Sequence, residues 1–220
     1  MKPLGYKFTN IFSDGRRTFT KSLTGRSTFP DEITVRDGKD LYRQWDPTRS
    51  KLSAALAKGI SQIGLRENMT VLYLGAAHGY TPSFISDIIR GGMIFAVEFA
   101  PQVTRDLLFV AHERKNIAPI LANASDTKAL RERITDVDFV YQDIAQRNQT
   151  QIFINSCKAF LKKGGFGMLA VKARSIDVAK KPKVLFKQVR AELEKELVVV
   201  DYRELNPFEK DHCLYVCKVK

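Results

Sequence analysis

The chain of 220 residues is poor in cysteine and histidine and short of acid. Its three cysteines, Cys157, Cys213 and Cys217, leave an odd count and form no CxxC pair. That argues against a disulfide framework or a zinc site and for a reducing compartment. Of the histidines, His78 and His112 have no partner set, and no metal is expected. No apolar run reaches the roughly 18 residues needed to span a bilayer. The N-terminal MKPLGYKFTN lacks the apolar stretch of a signal peptide, so a cytoplasmic protein is expected. With 13 Gly and 8 Pro it is not fibrous, and at 44% hydrophobic residues it is too apolar for a disordered chain.

The shortage of acid is the informative one. Lys and Arg number 36 against 24 Asp and Glu, a formal charge of +12. A polyanionic partner follows, nucleic acid first and an anionic membrane surface second. The charge is uneven. Between Lys158 and Arg190 ten basic residues face one acid, Asp177, and the first 51 residues carry eleven basic and six acidic side chains.

Residues 1–46 are rich in Gly, Thr, Ser, Phe and charge, with short alternating stretches and turn signals at Ser13-Asp14-Gly15 and Arg36-Asp37-Gly38. They predict a small N-terminal antiparallel β domain packed on a larger one, residues 47–220. Asp46-Pro47 is expected to open a helix. From Met69 onward short continuous apolar runs alternate with helical patterns. Strands are expected at 71–74, 93–97, 117–121, 137–141 and 166–171, followed by two last strands, 197–203 and 212–219, with no helix between them. Continuous apolar strands alternating with helices predict an α/β, Rossmann-like sheet, mostly parallel, with the final strand antiparallel.

Ligands of such sheets bind at the carboxyl ends of the strands. Gly75-Ala76-Ala77-His78-Gly79 turns from the first strand to the first helix, where small residues admit a close ligand and leave amides free. Glu98 ends the second strand, where an acid grips a ribose diol. Asn123-Ala124 follows the third strand, at the place of an adenine edge, and Asp143-Ile144-Ala145-Gln146 follows the fourth. Ala77 and Tyr80 break the G-x-G-x-x-G pattern. That disfavours a dinucleotide with its pyrophosphate and favours a phosphate-free nucleoside sulfonium.

Several motifs in order, Trp45-Asp-Pro-Thr-Arg-Ser-Lys51-Leu, Val71-Leu-Tyr-Leu-Gly-Ala-Ala-His-Gly79, Ala96-Val-Glu-Phe99, Asp143-Ile-Ala-Gln146, Val171-Lys-Ala-Arg-Ser175 and Glu209-Lys-Asp-His212, resemble the fibrillarin family over nearly the whole chain. The similarity is to its archaeal RNA 2′-O-methyltransferases. It implies an S-adenosylmethionine-dependent methyltransferase sheet preceded by a small β domain. Cofactor contacts are then implied at Gly75, Ala76, Ala77, Gly79, Tyr80, Thr81, Glu98, Phe99, Asn123, Ala124, Asp143, Ile144, Ala145 and Gln146. The chain departs from the family at His78 for Ser, Tyr80 for Thr and Asn123 for Asp. Asn123 is expected to reach an adenine amine through its carbonyl, and the bulk of His78 and Tyr80 is expected to crowd the methionine end.

Lys51, Asp143, Lys172 and His212 match the family's catalytic set. Lys172 and Asp143 end adjacent strands, so their side chains are expected to meet. Lys172 acts as base or, kept charged, holds the ribose oxygens; the sequence leaves both open. Lys51 and His212 are expected to position substrate. The family further implies guide-directed methylation of ribose in rRNA and tRNA within a box C/D ribonucleoprotein. Its partners there are guide RNA, target RNA, a Nop-domain scaffold and a kink-turn-binding protein. Arg174, Lys180, Lys181 and Lys183 are expected to contact RNA phosphates. Two other readings stand beside this one: a non-catalytic RNA-binding subunit of the same fold, and a methyltransferase acting on a protein glutamine.

Overall fold

The computed structural model describes residues 1–220. Apolar runs form the buried strands of a seven-stranded sheet, and the alternating segments of the first 46 residues form a separate five-stranded one. The N-terminal sheet contains β1 (Lys2–Pro3), β2 (Ile11–Ser13), β3 (Thr18–Lys21), β4 (Thr34–Asp37) and β5 (Asp40–Gln44) in the order β1-β2-β3-β5-β4. All its neighbours pair antiparallel. α1 (Lys51–Ala57) then leads to the larger sheet.

That sheet alternates β6 (Thr70–Leu74), α2 (Tyr80–Ile88), β7 (Met93–Glu98), α3 (Pro101–Glu113), β8 (Ile117–Leu121), α4 (Thr127–Arg131), β9 (Val137–Gln142), α5 (Gln149–Phe160) and β10 (Leu161–Lys172). α6 (Ala173–Ile176) and α7 (Pro182–Glu196) precede β11 (Leu197–Glu204) and β12 (His212–Val219). The order is β11-β12-β10-β9-β6-β7-β8. β12 alone runs antiparallel to its neighbours, wedged between β10 and β11, as the missing helix before it requires. Strand order reverses between β6 and β9, which opens a crevice at their carboxyl ends.

Two expectations about boundaries need correction. The first helix does not open at Asp46-Pro47. Asp46 instead accepts hydrogen bonds from the amide and hydroxyl of Thr48, closing a turn, and Ser50 caps the helix that starts at Lys51. β10 begins at Leu161 rather than Phe166. Its register with β9 shifts between those residues, where Gly164 adopts a left-handed φ of 76°.

The two sheets are locked together by buried charge. Asp87 of α2 receives Arg43 of β5 at 2.7 Å and Arg114 at 2.6 Å, with all three side chains fully buried. Glu32 takes the other face of the Arg43 guanidinium, and Thr20 and the Leu23 amide complete the Asp87 shell. Removing one member would strand a buried charge, a loss of about 3–5 kcal/mol. α2 is thereby fixed at its far end, while its N-terminus carries the 75–79 turn.

Candidate active site

β6 delivers the turn that begins at Gly75. A Cβ there would lie 2.3 Å from the Asp143 carbonyl oxygen, and the residue's φ is +83°. Only glycine fits this crossing of two loops. Gly79 repeats the device at the start of α2, with φ +85° and Leu107 3.0 Å from its absent Cβ. Ala77 is also left-handed, at φ 48°, and the Glu98 carboxylate holds it there by accepting its amide at 2.9 Å.

Four of the turn's five amides are not free, contrary to expectation. Those of Gly75 and Ala76 both donate to the Val97 carbonyl, that of Gly79 to Ala76, and that of Ala77 to Glu98. They close the turn instead of forming a nest for phosphate.

Beside the turn lies a cleft of about 270 Å³. Its lining is Gly75, Ala77, Val97, Glu98 and Phe99, then Ala122, Asn123 and Ala124, and the run from Asp143 to Gln146. It therefore joins the ends of β6, β7, β8 and β9. In a chain of charge +12, this lining holds two carboxylates and no Lys, Arg or His. Such a wall suits a cationic nucleoside and repels a phosphate. Glu98 spends Oε1 on the amides of Phe99 and Ala100 and Oε2 on Ala77, which leaves acceptor capacity on Oε2 for a hydroxyl. Phe99, 71% exposed, presents a ring at the mouth. These features fit S-adenosylmethionine.

Ala76, Gly79, Tyr80 and Thr81, expected as contacts, do not line the cleft, and Asn123 lines it differently. Tyr80 turns away from the cleft, against Phe29 and Phe84 and under the Arg49 guanidinium, 4.2 Å from the ring centroid. His78 is held outward by Asp106 at 2.8 Å. Neither side chain, each expected to crowd the methionine end, lines the cleft. Thr81 is buried and donates its hydroxyl to Ser50 at 3.0 Å, tying α2 to the cap of α1. Asn123 does line the cleft, but its Oδ1 already accepts from the amide and hydroxyl of Ser125. Both lone pairs are used, which leaves the amide NH₂ free to bond and not the expected carbonyl.

At one end of the cleft lies a charged cluster drawn from four elements. Lys51, first residue of α1, places Nζ 3.0 Å from Asp143 Oδ2, with both side chains mostly buried. Burial opposes the lysine's charge, but the Asp143 carboxylate, aided by Glu209, outweighs it and holds the pKa above the ordinary lysine value. Lys51 is thus a fixed cation. The expected meeting of Lys172 with Asp143 is corrected: β9 turns into the cleft floor at Asp143, where Lys51 takes the carboxylate. Lys172 is exposed and pairs across the β10–β12 ladder with His212.

His212 Nδ1 lies 2.7 Å from the Lys210 carbonyl. A carbonyl only accepts, so Nδ1 carries the proton and the neutral ring keeps a lone pair on Nε2. Burial, followed by the nearby Lys51 charge, pushes its pKa below the usual 6.5. Arg174, expected on RNA, is engaged locally with Asp211 at 2.9 Å and with the Val178 carbonyl. Lys180, Lys181 and Lys183 are exposed and make no ion pair.

Sequence reasoning missed Gln149, Ser50 and Glu209. Ser50 carried a readable N-cap signal before Lys51; Glu209 sat inside a quoted motif; Gln149 carried none.

The family model for fibrillarin matches residues 6–220. A fibrillarin-like rRNA/tRNA 2′-O-methyltransferase of Methanocaldococcus jannaschii is 43% identical over 215 residues, spanning 95% of this chain and 94% of the relative. Among solved structures, one of a fibrillarin/Nop5p complex superposes with a TM-score of 0.88 at 39% identity, over 96% of this chain and 98% of that one. Aeropyrum pernix fibrillarin, with natively bound S-adenosyl-L-methionine, gives 0.86 at 38% identity over 97% and 96%.

Proposed function

The chain belongs to the fibrillarin family, and on that premise we propose that it methylates ribose 2′-hydroxyls of rRNA and tRNA from S-adenosylmethionine. It does so as the catalytic subunit of a box C/D ribonucleoprotein, docked on a Nop-domain scaffold. Guide RNA and a kink-turn-binding protein supply the choice of site. The observation that carries this reading is a cleft with two carboxylates and no cation, ending at a cluster that holds Lys51, Lys172 and His212.

S-adenosylmethionine, held by Glu98, Phe99 and the 143–146 floor, supplies an activated methyl group. The protein has three tasks: alignment of the acceptor, handling of its proton, and stabilisation of developing charge. Asp143 fixes Lys51 and at the same time lines the cleft, so the two halves of the site share one carboxylate. Lys51, held charged, offers a fixed cation to the acceptor oxygen as charge develops there. Lys172 and His212 stand side by side at the end of β10 and β12. Lys172 contacts the 2′-hydroxyl, and His212 Nε2 is available to accept a hydrogen bond beside it. Lys180, Lys181 and Lys183, on the stretch following Lys172, receive RNA phosphates.

The test is reconstitution with guide RNA, scaffold and kink-turn protein, using labelled methyl donor. Label is expected in nuclease-resistant 2′-O-methyl dinucleotides at guide-specified positions. Label on protein glutamine, or no cofactor binding by calorimetry, overturns the proposal.

A further inference from the structure

Lys172 stands where β10 outruns its neighbour. The β9–β10 ladder ends at Gln142 and Leu169, because β9 bends into the cleft floor at Asp143. On the other side β12 still pairs with Lys172. On the β9 side its amide and carbonyl have lost their strand partner, and buried main-chain groups must be satisfied somewhere.

The partner is one side chain. Gln149, first residue of α5, is fully buried. Its Oε1 accepts the Lys172 amide at 3.1 Å, and its Nε2 donates to the Lys172 carbonyl at 3.3 Å. The carboxamide stands in for the missing peptide group of β9. The same Nε2 donates to the Gln146 carbonyl at 2.8 Å, at the end of the cleft floor. Gln142, the last ladder residue of β9, is buried and donates through Nε2 to the Gln149 carbonyl at 2.6 Å. One amide side chain therefore spans the floor of the cofactor cleft and the main chain of Lys172, and is itself held by β9.

We propose that Gln149 is the positioning residue of the reaction: it sets Lys172 at a fixed height against the cleft floor, and so aligns the lysine with a methyl donor lying there. The inference rests on the reading of Lys172 given above. Gln149 touches neither substrate nor donor; it acts through Lys172. Small misplacements of a reacting group lower rates steeply without weakening binding.

The test uses the assembled ribonucleoprotein, with single-turnover transfer and cofactor affinity measured in parallel. Gln149→Met keeps the length and loses the amide. Transfer is expected to fall about tenfold or more, with cofactor affinity changed less than about threefold. Gln149→Glu keeps the acceptor for the Lys172 amide but loses both donors and faces two carbonyls. It provides the same rate-against-affinity comparison should the methionine variant fail to fold. The deciding arm adds each substitution to Lys172→Ala. If Gln149 works through Lys172, the double variant is no slower than Lys172→Ala alone. Penalties that multiply, or affinity falling in step with rate, overturn the proposal. Wild-type protein that transfers nothing to RNA would instead reject the function proposed above, a distinguishable outcome.

Discussion

The cofactor cleft and the charged cluster share Asp143 and little else. The cleft is built from small residues, turn amides bonded to the Val97 carbonyl and the Glu98 carboxylate, and side chains at the ends of four consecutive parallel strands. The cluster is built from polar and charged side chains brought from the start of α1, the residue after β9, the end of β10 and the start of β12. One half works by exclusion: no Cβ at Gly75, no cation, no free nest of amides. The other works by placement: Lys51 is held by Asp143, the His212 ring by the Lys210 carbonyl, and the Lys172 main chain by Gln149. The difference teaches that recognition of the donor and alignment of the acceptor are separable by mutation everywhere except at Asp143.

The largest expected effect on cofactor affinity lies in the cleft. Gly75→Ala forces a Cβ to 2.3 Å from the Asp143 carbonyl at a φ of +83°. A strain of about 3 kcal/mol, roughly a hundredfold in affinity, is expected in calorimetric cofactor binding. Gly15→Ala, with open space around the same kind of positive φ, is the control. It costs about 1 kcal/mol of thermal stability and leaves affinity alone. Equal effects at the two glycines would remove the close-approach argument.

Asp143→Asn is the one substitution expected to damage both halves. Without the carboxylate, burial lowers the Lys51 pKa unopposed by its main partner. Transfer is expected to fall about a hundredfold and cofactor affinity about tenfold. A loss confined to either property would show that the halves are independent.

The cluster also predicts a pH limit. Burial and Lys51 hold the His212 pKa below 6.5, so the ring stays neutral at pH 7 and becomes charged only in more acid solution. Protonation of Nε2 removes its lone pair. The transfer rate should therefore hold down to below pH 6.5 and fall beneath that. His212→Asn, which retains a donor for the Lys210 carbonyl, should lose that limb. A limb at or above the ordinary histidine value, unchanged in the variant, contradicts the assignment.

The smallest effect tests Asn123. Its Oδ1 is spent on Ser125, which leaves its NH₂ as the free group. Asn123→Asp offers an acceptor there, and cofactor affinity is expected to rise about threefold through an adenine amine. Weaker binding would mean that the NH₂ already serves an acceptor on the ring.

Much of the cleft was legible in the sequence because it is local. Each lining group lies at the end of an apolar strand or within four residues after it, and the strand-turn-helix grammar places Gly75, Glu98, Asn123 and Asp143 at one sheet edge. The antiparallel last strand was legible for the same reason, since no helix separates it from its predecessor. What escaped were choices between partners. Asp143 has Lys51 and Lys172 within chain topology's reach, and only the bend of β9 decides for Lys51. Tyr80 was read from its neighbours in the turn, whereas its ring is claimed by Phe29 and Arg49 from the N-terminal segment. Gln149 reads as any first residue of a helix; its role exists only where β10 outlasts β9.

The central claim is that the cleft binds and the cluster transfers, with Lys172 on the acceptor side of the divide. Lys172→Ala tests it most directly, by single-turnover methylation of guide-paired RNA beside calorimetry with S-adenosylmethionine. Transfer is expected to drop by about 10²–10⁴ while cofactor affinity stays within about twofold, because Lys172 does not line the cleft. Transfer at the wild-type rate, or a rate loss matched by lost cofactor binding, would contradict it.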